Sequence, residues 1–562
     1  MKRIYLATVL LSTMISNVDA QTFDWAKLEG KYAYDYGYGI STDVSGNVYV
    51  AGKYEEDGAF FSGTTVPCAG NHDMFLAKYT SGGSLVWVRT AGGVLGDYAH
   101  AMTTDRTNYI YVAGEIEGTN TTITFPGSTQ TLTCVADNDI FVAKYDMSGN
   151  LIWAKSAGGG GGEKALGVTY DNAGNVYICG NYKDNFTYEG TPMVASFSGE
   201  RDIFVAKYNS SGVFQWVKTA GSVGRDEALD IECNAVGEVY VCGMHHHNAT
   251  FGSTNLTTPS TPSGTHYMNA FLAKYASDGT LLWVKSDGSD YDDVAWDMTI
   301  DNSGKIYVAG EFNAYANFGT APALTTFGQA DAYVACYDAS GNVSWATQAG
   351  GTLIDRIRGI GTDGTNLYVT GQFGTPSGGP AATFGSSSFS AVDSSDVFIS
   401  GLNNSGSFLW TKTIGGMADS VELLGYESGN AICTDGTNTV YVTGALLNGG
   451  TLGSITLDDY KRTDAFITRL TVVVGIEELV SENSLKVFPN PGTGNFQVDL
   501  KDIKSQTVDL RIYNYLGTLV EQKNTVRNNN TLNVDISSHK KGIYFIELRT
   551  EDKIFREKII LQ

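Results

Sequence analysis

The stretch Asn47-Val-Tyr-Val-Ala-Gly52 recurs in recognisable form seven times, its copies ending at Gly52, Gly114, Gly180, Gly243, Gly310, Gly371 and Gly444. An Asp-x-Phe-x-x-Lys-Tyr-like run follows each copy, at residues 73–79, 139–145, 202–208, 269–275, 331–337, 396–402 and 464–470. An apolar pair ending in tryptophan completes the unit, at Trp25, Trp87, Trp153, Trp216, Trp283, Trp345 and Trp410. A unit of about 65 residues repeated in this way cannot bury its apolar faces alone and must stack on its neighbours.

Each unit reads as four strands. In the first, residues 39–43 lead through a Val-Ser-Gly turn to 47–51, and a long connection runs to 74–79. The turn Thr80-Ser-Gly-Gly83 then gives 85–89. These runs alternate or are short and apolar, bounded by Gly, Asp, Asn and Ser. From the Asp-x-Phe position to the next tryptophan the spacing is fourteen residues in all six copies that have both. The connection from second to third strand varies instead, alternating short and long. Ligand contacts are therefore expected from loops near residues 53–72, 115–138, 181–201, 244–268, 311–330, 372–395 and 445–463, over a constant frame. The seventh copy has no tryptophan after its third strand, and Phe23-Asp-Trp-Ala-Lys27 supplies the missing one. The expectation is an all-β chain: a seven-bladed β-propeller over residues 21–470, closed by the N-terminal strand.

The content of 67 Gly, 32 Tyr and 25 Phe against 10 Pro suits many short strands. Nearly all of the net charge of −23 lies before residue 482, which disfavours nucleic acid and anionic membranes and favours cations or basic partners. Lys2 and Arg3 precede a mostly apolar run, 4–15, and Val18-Asp-Ala20, the pattern of a signal peptide over residues 1–20. No other apolar run is long enough to cross a bilayer, so no membrane span is expected. Seven cysteines leave at least one unpaired, and the four on predicted strands (Cys179, Cys233, Cys242, Cys433) read as small buried hydrophobes.

Asp171-Asn-Ala-Gly-Asn-Val-Tyr-Ile-Cys-Gly180 followed by Asp202-Ile-Phe-Val-Ala-Lys-Tyr208 resembles the bacterial seven-bladed beta-propeller (SBBP) repeats. That resemblance covers about residues 22–470 and implies the fold, not an activity. After a linker at 471–483, residues 484–562 read as a small Ig-like β-sandwich. They resemble the type A C-terminal sorting domain of type IX (Por) secretion substrates: Pro489-Asn-Pro-Gly-Thr-Gly494, Tyr513-Asn-Tyr-Leu-Gly517 and Gly542-Ile-Tyr544 occur in order. The resemblance implies engagement of the type IX machinery and passage across the outer membrane of a Gram-negative bacterium. Cleavage near the linker would follow, and release or attachment to the cell surface.

An acidic residue stands ten positions after the tryptophan in six copies: Asp35, Asp97, Glu163, Asp226, Asp293 and Asp355. In the seventh, Asp419 or Glu427 fits. Such a ring, near the channel mouth, suits a hard cation such as Ca2+. Recurrence in every copy favours carboxylates that accept hydrogen bonds from turn amides. His245, His246 and His247, with His266, share one connection; imidazoles suit zinc or nickel, although alternation lets at most two of the triplet converge. The repeat tryptophans fit packing between blades. Trp296, outside that frame, is placed to plug or line the channel. Phe251, Tyr267, Tyr315 and Phe318 are expected as exposed loop aromatics.

No nucleophile elbow, His-Glu-x-x-His, P-loop or EF-hand series occurs, and no cofactor is required by any motif. The leading expectation is an exported binding or adhesion propeller for a glycan or extracellular protein. The alternative is a polysaccharide lyase or hydrolase at the channel mouth, recognisable by two or three close acidic, His or Tyr side chains that break the repeat pattern there. A spacer without ligand is a third reading.

Overall fold

The computed structural model describes residues 21–30, 34–55, 58–258, 266–289, 291–375, 379–392, 395–415, 427–457 and 462–472. Toward the C-terminus it describes 485–501, 503, 505, 507–514, 519–526, 530–550 and 554–562. The signal peptide expected at 1–20 and nearly all of the linker at 471–483 lie outside these residues. The chain divides into two compact units, Met1–Val472 and Val473–Gln562. All regular structure among the described residues is β-strand.

In the first unit, seven antiparallel sheets share one strand order, first to fourth. Sheet one is Tyr36–Thr42, Val48–Glu55, His72–Tyr79 and Leu85–Ala91. In the seventh sheet, Ser428–Thr434, Thr439–Leu447 and Thr463–Val472 are joined by the N-terminal strand Gln21–Glu29, with Phe23 opposite Leu470 and Lys27 opposite Ile467. The first strands of successive sheets adjoin one another, and Tyr36–Thr42 touches both Asp97–Thr104 and Ser428–Thr434.

The apolar clusters lie between sheets. Tyr49, Ala51 and Leu76 of sheet one pack with Val112, Phe141 and Ala143 of sheet two. Ile40, Val50 and Phe75 pack with Tyr441 and Ile467 of sheet seven. Second strands such as Val48–Glu55 are therefore buried almost throughout, and fourth strands such as Leu85–Ala91 are half-exposed.

The recurring Asn-x-Tyr has a local cause. Asp43 accepts the N–H groups of Ser45 and Asn47, both at 2.9 Å, the Asn47 amide at 2.8 Å and the Tyr49 hydroxyl at 3.0 Å. Burial opposes the Asp43 charge, but these donors outweigh it and hold its pKa below the usual range. The hairpin is thus set by three side chains at fixed offsets, and the pattern repeats at Asp171, Asn175 and Tyr177.

Five of the repeat tryptophans hydrogen-bond a turn of the next sheet. Trp25 Nε1 donates to the Ser81 carbonyl at 2.9 Å, Trp216 to Ser277 at 3.2 Å, and Trp345 to Asn404 at 3.2 Å. The turn must approach closely for this. Gly83 has φ 80°, and a Cβ there would stand 2.7 Å from Trp25 Cδ2.

The variable connections are folded rather than open. Six contain a short hairpin, such as Ala59–Phe61 with Thr64–Val66 and Ala382–Phe384 with Ser387–Phe389. In sheet five the flanking strands lengthen instead, setting Tyr315 opposite Thr325. The hairpins reach back to the preceding sheet: Phe60 bridges to Gly30, Thr124 to Gly92, Thr383 to Gly350 and Thr451 to Gly415. Thr250–Phe251 pairs directly with Phe214–Gly221. This corrects the expectation of exposed aromatics. Phe251 and Phe318 are each only 1% exposed, because they face inward from these elements, whereas Tyr315 stays 36% exposed.

The second unit has two antiparallel sheets. One holds Lys486–Phe488, Asn495–Asp499 and Thr531–Asp535; the other holds Leu519–Val526, Thr507–Asn514, Gly542–Arg549 and Ile554–Leu561. Phe496, Val498, Leu510, Ile512, Ile546 and Leu548 form its core.

Candidate functional site

The first strands carry the same irregularity. In each sheet the register slips by one residue, between Gly37 and Gly39, Ala99 and Ala101, Ala165 and Gly167, Ala228 and Asp230, Ala295 and Asp297, Ile357 and Gly359, and Gly429 and Ala431. A bulge of this kind re-aims the extra side chain. The extra residues are Tyr38, His100, Leu166, Leu229, Trp296, Arg358 and Asn430, and all seven line one cavity of about 470 Å3 bordered by the first strands.

The residue after the bulge is Gly or Ala in five sheets and aspartate in two neighbours, Asp230 and Asp297. Asp297 and Asp230 share a hydrogen bond, and burial raises the pKa of both. The charge of Asp230 raises Asp297 further, so the pair titrates as a unit. The outer oxygens are fixed by backbone: the Met298 N–H donates to Asp230 at 3.1 Å and the Ile360 N–H to Asp297 at 2.6 Å. Glu232, also lining the cavity, is pushed up to about 8 by burial and by Asp230.

Toward the variable connections, the rim is aromatic on one side and ionic around the rest. Tyr36 stacks on Tyr38, with centroids 5.7 Å apart, and Tyr98 on His100 at 5.6 Å. Tyr38 meets His100 at 5.7 Å and His72 meets Tyr98 at 5.3 Å, which makes one continuous aromatic wall. Lys53 lies over both Tyr36 and Tyr98. Glu115 hydrogen-bonds His100 of its own sheet and pairs with Lys164 of the next, each at 2.9 Å, and Glu311 pairs with Arg356 of the next sheet at 2.6 Å. Burial opposes the Glu115 charge, yet these partners hold its pKa down to about 2.

The acidic residues singled out from the repeat take a different place. Asp35, Asp97, Glu163, Asp226, Asp293 and Asp355 are buried, and none lines the cavity. Their oxygens accept backbone N–H groups: Asp97 from Gly93 at 2.7 Å, Glu163 from Gly159 at 2.9 Å, and Asp35 from Glu55 at 3.0 Å. Asp226 accepts from Ser222 and His246, Asp293 from Ser289 and Asn313, and Asp355 from Gly351 and Gly374. In sheet seven Glu427 occupies the equivalent place, while Asp419 lies outside the described residues. Among the described residues, no group of three or more His, Cys, Asp or Glu is arranged to hold a metal ion. His245 is buried and donates or accepts with Ser286 at 2.7 Å, whereas His246, His247 and His266 cluster apart from it. All seven cysteines are free.

Trp296 lines the cavity, where sequence placed it. Sequence reasoning missed Tyr38, His100, Asp230, Asp297 and Arg358. Aligning the seven first strands on the preceding acidic residue exposes them, since two aspartates then stand where five copies have Gly or Ala.

Residues 486–562 match the family model described as the secretion system C-terminal sorting domain. The C-terminal unit carries a type IX sorting domain. This sorting domain indicates type IX secretion and engagement of its machinery, and no helix among the described residues is long and apolar enough to cross a membrane. The chain is 24% identical over 438 residues to an uncharacterized WD repeat-containing protein of Acanthamoeba polyphaga mimivirus, covering 63% of this chain and 31% of that protein. It is 25% identical over 254 residues to the regulatory protein FlaEY of Caulobacter vibrioides, covering 42% of this chain and 26% of that one. The chain therefore spans about a third or less of the length of these relatives. The likeness to a WD-repeat protein fits a propeller-like fold ahead of the sorting domain. Among solved structures, quinohemoprotein alcohol dehydrogenase from Comamonas testosteroni covers 84% of this chain and 79% of its own at 10% identity and a TM-score of 0.35. A puromycin hydrolase covers 83% and 58% at 11% identity, with the same TM-score of 0.35.

Proposed function

We propose that this chain is an exported binding protein, a closed seven-bladed β-propeller of SBBP type, that holds an oligosaccharide at the mouth of its central cavity. The observation that carries this reading is the wall formed by Tyr36, Tyr38, His100, Tyr98 and His72. Flat aromatic faces suit the C–H faces of sugar rings, and polar groups around them suit hydroxyls. The rim supplies these as Lys53, Glu115, Lys164 and Arg356. The sorting domain delivers such a protein to the outside of a Gram-negative cell, where glycans are abundant, and is removed there. The closed ring is supported by the pairing of Gln21–Glu29 with Thr463–Val472 and by the Trp25 bond to Ser81.

The test is titration calorimetry of the full chain with oligosaccharides, beside Tyr98→Ala. Binding that the substitution weakens at least tenfold is expected. Binding unchanged in Tyr98→Ala, or no binding of any glycan, overturns the reading.

One observation favours the polysaccharide-active enzyme as a second reading. Asp230 and Asp297 are two buried carboxyls, both with raised pKa, that share a hydrogen bond in one cavity, an arrangement able to give and take a proton. Their direct hydrogen bond sets them closer than the about 5–5.5 Å of retaining or 6.5–9.5 Å of inverting glycosidases. The pair therefore fits proton abstraction, as in a lyase, better than glycoside hydrolysis. Release of unsaturated products from polysaccharide, abolished in Asp230→Asn, is the result that would select this reading.

A further inference from the structure

Arg358 is the bulged residue of the sixth first strand, and it lines the cavity. Its guanidinium lies over the Trp296 ring, 4.5 Å from the centroid. Stacking of this kind leaves the N–H edge of the fork free in its own plane. Its Nε is shut off from solvent, and among the described residues no acceptor hydrogen-bonds it. The carboxylate best placed to neutralise it is already engaged: Glu311 Oε2 takes Arg356 Nε at 2.6 Å and Oε1 takes Trp296 Nε1 at 3.3 Å. Of the other cavity carboxyls, Asp230 and Asp297 bond to each other and to backbone N–H groups, and Glu232 accepts the Thr169 hydroxyl at 3.4 Å. A buried guanidinium N–H without an acceptor is costly, and proteins rarely keep one unless something answers it.

The rest of the bulge ring agrees. His100 and Asn430 carry polar groups into the same cavity, and Tyr38 adjoins His100. A long polyanion would meet the field of a chain with net charge −23. A single acidic substituent that enters the cavity would instead meet a local guanidinium whose planar edge matches two oxygens at once.

Resting on the oligosaccharide reading above, we infer that the ligand is an acidic sugar and that Arg358 binds its carboxylate or sulfate ester while the Tyr38–His100 wall receives the ring. The carboxylate and the sulfate share the required chemistry, two coplanar oxygens bearing negative charge.

The experiment is calorimetric titration of the full chain with three probes: oligogalacturonate, its carboxyl-reduced counterpart, and sulfated galactose oligomers. Each is repeated on Arg358→Gln and Arg358→Lys, with melting temperatures to confirm folding. The expected result is that at least one acidic probe binds tenfold or more tighter than the carboxyl-reduced probe. Arg358→Gln should erase that difference and Arg358→Lys should keep part of it, since a point charge replaces the fork. Whether oligogalacturonate or the sulfated probe shows the effect tells carboxylate from sulfate. Equal affinity for acidic and carboxyl-reduced probes, indifferent to Arg358→Gln, overturns the inference and leaves glycan binding standing. Binding of none of the three overturns the inference, and the wider oligosaccharide titration with Tyr98→Ala decides separately whether glycan binding stands.

Discussion

Asp297 and Asp230 share a hydrogen bond across two neighbouring first strands, and both carboxyls are raised by burial. A carboxyl with a higher pKa folded than unfolded binds its proton more tightly in the native state. Its stabilisation is complete below about pH 4 and is lost as pH climbs through the folded value. Asp97 and Asp355, each pushed up by burial to about 8, and Glu163, to about 9, add in the same direction. The melting temperature should fall between about pH 5 and pH 9, and fall less in Asp297→Asn, which removes one raised group. Thermal unfolding at several pH values checks this; a rise over that range would mean these carboxyls are held charged.

Substituting the repeat carboxylates should act on turns. Asp97→Asn swaps one accepting oxygen for a donor facing backbone N–H, so a loss of about 1–3 kcal/mol is expected. Asp226→Asn should behave alike, and both losses should be the same with Ca2+ and with a chelator. Urea unfolding under the two conditions makes the comparison. A Ca2+-dependent loss would instead assign the ring to a cation.

Trp25 joins the N-terminal strand to the turn of sheet one through its 2.9 Å bond to Ser81. Trp25→Ala removes that bond and a large apolar surface, an expected cost of about 3 kcal/mol. Removing residues 21–29 should cost more, because it exposes the edge of Thr463–Val472. Denaturant midpoints and the onset of aggregation on heating report both.

Two glycines separate backbone strain from collision. Gly83 and Gly63 have φ of 80° and 100°, but only Gly83 faces a neighbour, Trp25 Cδ2 at 2.7 Å from a built Cβ. Gly63→Ala should cost about 1–2 kcal/mol for the left-handed backbone alone. Gly83→Ala should cost clearly more, read as the difference in urea midpoint.

The four-strand unit was legible because its turns are written in side chains. Asp43, Asn47 and Tyr49 sit at offsets that permit one hairpin geometry, and the chain repeats them. The pairing of residues 23–27 with the last third strand was legible as a missing tryptophan strand. The hairpins in the variable connections were not, since strands of two or three residues such as Thr250–Phe251 are too short to show a period. That is why Phe251 and Phe318 read as exposed. The cavity escaped for a different reason. Strict alternation assigns side chains to faces by parity, and one extra residue reverses the parity at Tyr38, His100 and Arg358. The repeat carboxylates were found by counting, but counting carries no depth, and it placed at the mouth groups such as Asp97 that lie beneath the turns.

The slipped register at every first strand separates inheritance from invention. Seven backbones keep one geometry, yet the displaced position holds tyrosine, histidine, leucine twice, tryptophan, arginine and asparagine. A side chain that neither pairs across the ladder nor fills the space between sheets can change without disturbing either. Descendants of this chain could exchange one recognition surface for another through single codon changes, with the scaffold untouched.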